Sequence, residues 1–153
     1  MTAPTFPDSA EETRAHFRKF ISIPTRWMDN DMYGHVNNVV YYSYFDTAVN
    51  GNLIAATGQD LRELPALGIV AETSCRFLQE LSFPEIIDAG LRITRLGKRS
   101  VIYEIGLFRA GSDSPAALGH FVHVYVDREQ RRPLPIPDLI RNALVELVVP
   151  GAD

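Results

Sequence analysis

The feature that most constrains the fold is the segment from Val39 to Ala55. Val39, Val40, Tyr41, Tyr42, Tyr44, Phe45, Ala48, Val49, Leu53, Ile54 and Ala55 cover most of a helix circumference at about 3.6 residues per turn. A helix that is apolar nearly all round is buried or wrapped, not laid on a surface. The stretch ahead of it, Thr25 to Gly34, is dense in Asp and Asn, which is loop chemistry. Asn37 or Asn38 is placed to cap the helix start, and Gly58 to stop it just after Thr57. Gly51 inside the helix costs about 1 kcal/mol against Ala, which suggests close approach of another surface, such as a partner chain.

The rest of the chain supplies the wrapping. Phe17–Ile23 reads as a strand ending near Pro24. Beyond Leu67, Ile69, Ala71, Thr73, Cys75 and Phe77 alternate with Glu72, Ser74 and Arg76, the period of a half-buried strand. A second alternating run covers Ala89–Thr94, and a turn at Gly97-Lys98-Arg99 leads to a third over Val101–Leu107. After the Gly111–Pro115 turn, Ala116–Val126 is almost continuously apolar, as suits a central strand buried on both faces. An extended tail over 131–137 precedes a short final helix, capped by Asp138 and running to about Leu147. Residues 1–12 read as a loose arm or a short capped turn. One strand, a long helix and four strands joined largely by hairpin-like turns give the α+β class, a curved antiparallel sheet around the helix. With 153 residues and no repeat or linker, a single domain is expected.

Composition narrows the function classes. The apolar fraction of 46% with 22% charged residues is that of a folded globular chain. A net charge of −4 without any basic run argues against nucleic-acid binding, though two or three cations can still build a small anion site. The single Cys75 permits no intrachain disulfide, in keeping with a reducing compartment. No apolar run approaches the roughly 20 residues that span a bilayer, and the N-terminus lacks signal-peptide features. A soluble cytoplasmic protein is expected. His120 and His123 fall on opposite faces of one strand, and no other cluster has ligand spacing, so neither metal nor cofactor is expected.

The segment Arg26-Trp-Met-Asp-Asn-Asp-Met-Tyr-Gly-His-Val-Asn-Asn-Val-Val-Tyr-Tyr42 resembles the signature of the 4-hydroxybenzoyl-CoA thioesterase-like hotdog proteins. There an Asp-x-Asp-x-x-Gly-His-Val-Asn-Asn-x-x-Tyr pattern joins the first strand to the central helix. The likeness continues at Gly68-Ile-Val, Gly97-Lys-Arg-Ser100 and Val126-Asp-Arg-Glu-x-x-Arg-Pro133. It implies a hotdog fold and hydrolysis of an acyl-CoA or acyl-carrier thioester, CoA being part of the substrate.

By position, Asp31 matches the family's catalytic carboxylate, and the Asn38 amide matches the donor that polarises the thioester carbonyl. Free N–H groups at a helix start carry partial positive charge and stabilise a developing oxyanion. Asp31 can attack the carbonyl carbon or deprotonate a water, and both routes stay open. The competing reading of Asp31 is an Asx-turn residue. His35 is a secondary candidate that shapes the pocket or orients water. Tyr33, Gly34, Asn37 and Tyr41 are expected to line the substrate site, the helix aromatics helping to form an acyl tunnel.

Lys98, Arg99 and Ser100 match a turn that in relatives contacts the CoA phosphates, and Arg128, Arg131 and Arg132 are candidates to extend it. Asp29 is expected to bond loop backbone or Arg26, Trp27 to be core, and Asp46 to need a partner in an apolar helix. Glu72 is a low-ranked alternative carboxylate. The family site lies at a subunit interface, which implies a homodimer or a dimer of dimers. A hotdog hydratase or dehydratase, and a non-catalytic acyl-CoA-binding module, are the competing functions.

Overall fold

The structure, a computed structural model, describes residues 12–151, so the expected N-terminal arm lies almost wholly outside the described residues. In chain order the elements are β1 (Lys19–Pro24), α1 (Val40–Thr57), β2 (Ala66–Phe77), β3 (Ile86–Leu96), β4 (Ser100–Arg109), β5 (Pro115–Asp127) and α2 (Asp138–Leu144). The strands form one antiparallel sheet in the order β1-β3-β4-β5-β2. It curves around α1 as the hotdog resemblance implies.

The expected run of hairpins holds only for β3, β4 and β5, joined through Gly97–Arg99 and through Gly111 at φ 84°. β1 occupies the outer edge of β3, with Lys19 opposite Leu91. β2 therefore crosses to the free edge of β5, where Phe77 faces Ala117. As an edge strand β2 stays largely exposed within one chain, and a bulge between Val70 and Glu72 breaks its alternation. This corrects the half-buried reading.

Tyr41, Tyr44, Phe45, Ala48, Val49 and Leu53 of α1 pack into the same core as Ile87, Leu91, Ile105 and Phe121 of the sheet. Gly119 of β5 sets how closely the helix approaches, because a Cβ there would run into the Phe45 ring. The opposite face carries Phe17, Phe108 and Leu118, together with Arg92, which bonds Glu12 and Glu104.

Gly58 ends α1 as expected, at φ 68° with its N–H on the Ile54 carbonyl. At the start, one of the two Asn candidates, Asn37, satisfies a free backbone N–H as expected, although neither is the boundary residue. Val39 is the boundary residue, and the Asn38 side chain makes no capping bond. Asn37 Oδ1 instead accepts the Val39 N–H at 3.2 Å. Pro137, not Asp138, is the boundary residue of α2. Among the described residues a Cβ added at Gly51 would meet nothing within 4 Å, and the flank of α1 carrying Tyr42, Asp46 and Ile54 is exposed. The sheet of one chain covers only part of the apolar circumference.

Candidate active site

The loop between β1 and α1 is built by its Asp and Asn residues. Asp29 is buried at the end of a 3-10 turn (Trp27–Asp29). Its carboxylate accepts from the Arg26 N–H at 2.9 Å, from Arg26 Nε at 3.0 Å and from the Tyr44 hydroxyl at 2.8 Å. Burial pushes this carboxyl upward, but the Tyr44 and Arg26 bonds outweigh it and hold it below the ordinary Asp value. Burial pushes Tyr44 upward in turn. Asp29 thus has the structural role expected of it, bonding Arg26, with a bond to the helix added.

Asp31 closes the next turn. Its N–H donates to the His35 carbonyl at 2.8 Å, and Gly34, at φ 87°, donates to the Asp31 carbonyl at 3.1 Å. Positive φ is cheap only without a Cβ, which is why Gly34 stands there. Asp31 Oδ1 accepts from Tyr33 N–H at 2.9 Å and, at the limit of a hydrogen bond, from His35 N–H at 3.5 Å. The Asx-turn reading is therefore correct for one carboxylate oxygen. Oδ2 has no hydrogen-bond partner among the described residues.

The same selectivity marks the helix start. Asn37 N–H donates to the Asp29 carbonyl, Val39 to Asn37 Oδ1, Val40 to the Asn37 carbonyl and Tyr41 to the Asn38 carbonyl. Among these successive amides only that of Asn38 has no partner among the described residues. Asn38 and Asp31 line one cleft of about 470 Å³, together with Tyr33, His35, Tyr41 and Phe77. Burial pushes the Tyr41 hydroxyl up to about 12, so it is a neutral donor at physiological pH. Gly34 and Asn37 support the turn and helix start; neither lines this cleft, and Gly34 borders a smaller one with Trp27, Asn30, Asp31 and Met32.

The far wall, Phe77 to Glu80, carries no sequence motif. It is placed by long-range pairing, Leu78 and Gln79 N–H both donating to the Ala116 carbonyl. Glu80 Oε2 lies 2.9 Å from His35 Nε2, so the His35 ring has a carboxylate partner at the cleft.

Several expected residues stand elsewhere. Trp27 is 82% exposed and packs edge-on against Phe83, so it is not core. The loop needs its backbone, not its indole, to form the 3-10 turn. Asp46 points off the exposed flank of α1 with no side-chain partner among the described residues, and partial burial alone raises its carboxyl. Glu72 sits exposed on β2, 3.8 Å from His120, and does not border the cleft. Cys75 packs against the core, its thiol pushed up to about 12 by burial, an inert state.

Lys98 and Arg99 are exposed and Ser100 is half-buried at the β3–β4 turn. The Arg99 carbonyl accepts from Tyr125 N–H. Tyr125 is nine residues along β5 from Ala116, about 30 Å at strand rise. Within one chain the basic turn is therefore at the opposite end of the sheet from Asp31. Arg128 is committed to the Leu64 and Leu61 carbonyls, each at 2.8 Å, and so is no longer a candidate to extend the basic turn. Among the described residues no group of three His, Cys, Asp or Glu is arranged to hold a metal ion, and no helix is long and apolar enough to cross a membrane.

A family model of the thioesterase-like superfamily matches residues 25–144. No curated protein matches the chain. Among solved structures, the PA5185 protein of Pseudomonas aeruginosa strain PAO1 is 46% identical, over 93% of this chain and 99% of that one, with a TM-score of 0.88. A thioesterase from Thermus thermophilus, complexed with coenzyme A and Zn, is 29% identical over 86% and 94% of the two chains, with a TM-score of 0.71. The BH1999 gentisyl-coenzyme A thioesterase is 26% identical over 82% and 99%, with a TM-score of 0.72. The family match spans the loop, the cleft and the whole sheet apart from β1, and the chain belongs to the thioesterase-like superfamily with the hotdog fold.

Proposed function

We propose that this chain hydrolyses an acyl-CoA, or a similar acyl-carrier thioester, to the free acid and thiol. One observation carries the reading: Asp31 Oδ2 and the Asn38 N–H, both without a partner among the described residues, belong to residues that line the same cleft. A thioester carbonyl seated on the Asn38 amide meets a donor that needs no reorganisation as negative charge develops on oxygen. Asp31 then acts on the carbonyl carbon, as nucleophile or by deprotonating a water, and the C–S bond breaks to release the thiolate. The oxygen not used in catalysis keeps the turn closed. His35, held by Glu80, orients water or the leaving group, and Tyr33 and Tyr41 wall the acyl side.

A homodimer formed along β2 supports the rest of the site. This strand is a 12-residue edge with Ile69, Val70 and Phe77 40–47% exposed, and an open apolar edge invites pairing with another strand. In a two-fold antiparallel pair the Gly68 end of one β2 lies beside the Phe77 end of the other. Gly68 is paired with Tyr125, whose N–H donates to the Arg99 carbonyl, so this arrangement carries Lys98, Arg99 and Ser100 of one copy toward the Asp31 cleft of the other. There they can hold the CoA phosphates. A dimer of dimers is compatible with the same contact, and the lone cysteine fits action in the cytoplasm.

The test is thiol release from a panel of short, long and aromatic acyl-CoAs and acyl-carrier thioesters. Turnover of at least one class is expected. A chain that folds yet cleaves none of them is not a thioesterase.

A further inference from the structure

A second, smaller cavity lies under the distal half of α1, away from the Asp31 cleft. It measures about 80 Å³, and its buried walls include Leu53 of α1, Ala66 of β2, His123 and Tyr125 of β5, and Ile140 of α2. His123 and Tyr125 are each 2% exposed, yet His123 Nδ1 and the Tyr125 hydroxyl have no hydrogen-bond partner among the described residues. Two further buried polar atoms in the core, Tyr103 OH and Asn52 Oδ1, share that condition, and the Tyr103 ring packs edge-on against His123 at 6.1 Å. Buried polar atoms nearly always find partners; of these four, His123 and Tyr125 line the cavity itself, and two unpartnered atoms on one small cavity mark a place built to receive hydrogen bonds.

The chemistry of the walls selects the ligand. Among the described residues no Asp, Glu, Lys or Arg lines the cavity. Burial pushes His123 down to about 4 and raises the Tyr103 and Tyr125 hydroxyls, so the cluster is neutral at physiological pH and offers both donors and acceptors. An ion would find no counter-charge, whereas a hydroxyl or carbonyl oxygen is matched. The space accepts roughly two or three water-sized groups at about 30 Å³ each.

Its rim is marked by half-buried Asn50, Leu67 and Gly68, the last two at the start of β2. Gly68 keeps the way open, because a Cβ there would lie 3.0 Å from His123 Nδ1 and 3.2 Å from Tyr125 Cζ.

We propose that this pocket binds an uncharged hydrogen-bonding group, a hydroxyl or keto oxygen, carried at the far end of the acyl chain. The inference rests on the thioesterase reading and on the β2-paired dimer, in which the Gly68 rim of one copy turns toward the Asp31 cleft of the other. The enzyme then selects acyl groups with a polar terminus over plain ones of the same length.

The experiment compares kcat/KM for acyl-CoA pairs of equal carbon count, with and without a terminal hydroxyl. The wild-type chain is expected to favour the hydroxylated member of at least one pair about tenfold or more, since a site with unmatched polar groups rejects the analogue that leaves them unpaired. Tyr125→Phe, which removes one hydroxyl, and Gly68→Ala, which narrows the rim, are each expected to collapse that ratio toward one. Circular dichroism confirms that each variant is folded, and using two sites guards against misfolding in either. A wild-type ratio near one, or a ratio unchanged in both variants, means that the pocket holds only water and overturns the proposal while leaving the thioesterase reading intact. Cleavage of no acyl-CoA at all overturns both.

Discussion

The bond between Tyr44 and Asp29 fastens the Asp31 loop to the helix behind it, and Tyr44→Phe removes it without changing the shape of the core. The lost contact is a 2.8 Å hydrogen bond to a buried carboxylate, and hydrogen bonds to charged groups contribute about 1.5–3 kcal/mol. A loss of about 2 kcal/mol at pH 7 is therefore expected. The loss also depends on pH. Asp29 is held below the ordinary Asp value despite its burial, through the Tyr44 and Arg26 bonds. Its stabilisation is complete above the unfolded-state value of about 3.9 and disappears as pH falls through the lower folded-state value. Once the carboxyl is protonated, the bond is between neutral groups and contributes only about 0.5–1.5 kcal/mol. Urea unfolding of wild type and variant, stepped from pH 7 down to the lowest pH at which both fold, measures this directly. The difference should be constant from pH 7 to about 5 and shrink below that. A difference under about 0.5 kcal/mol at pH 7, or one that grows on acidification, refutes the assignment of Asp29 as a charged anchor.

Other outcomes follow from the same contacts. Gly119→Ala drives a methyl into the buried Phe45 ring and should destabilise by about 1–3 kcal/mol. Adding Phe45→Leu should recover part of that loss in a double-mutant cycle, and strict additivity would show that the two do not touch. Lys98→Ala/Arg99→Ala should raise KM for acyl-CoA severalfold at low ionic strength, with less change in kcat, and the effect should fade as salt screens the phosphates. An unchanged KM removes the phosphate assignment.

The parts of the molecule legible in the sequence are those fixed by local pattern. Helix α1 shows in its apolar residues and Gly58, and β3, β4 and β5 in alternation, a continuous apolar run and the turns at Gly97 and Gly111. The Asp31 loop is legible because a dense motif sits on one short segment, and its Asp29–Arg26 bond is only three residues in span.

What is not legible depends on contacts distant in sequence. The place of β2 follows from β1 having taken the edge of β3, and alternation within β2 carries no record of which neighbour it pairs with. The cleft wall at Phe77–Glu80 is set by Ala116, thirty-six or more residues further on, and so the Glu80 partner of His35 has no local signal. Trp27 reads as core by residue type, but its 3-10 turn faces it outward. Asn38 is the wrong residue for a side-chain cap and the right one for the cleft, since among the described residues its side chain caps nothing and its N–H has no partner.

Whether Asp31 carries the chemistry is tested by Asp31→Asn, assayed by thiol release on whichever acyl-CoA the wild type cleaves best. Asn keeps an oxygen for the Tyr33 amide and thus the turn, but it can neither attack the thioester carbonyl nor take a proton from water. A fall in kcat of at least about 100-fold is predicted, with KM changed little and unfolding stability close to wild type. A folded Asp31→Asn variant that retains wild-type kcat would place the chemistry on another residue.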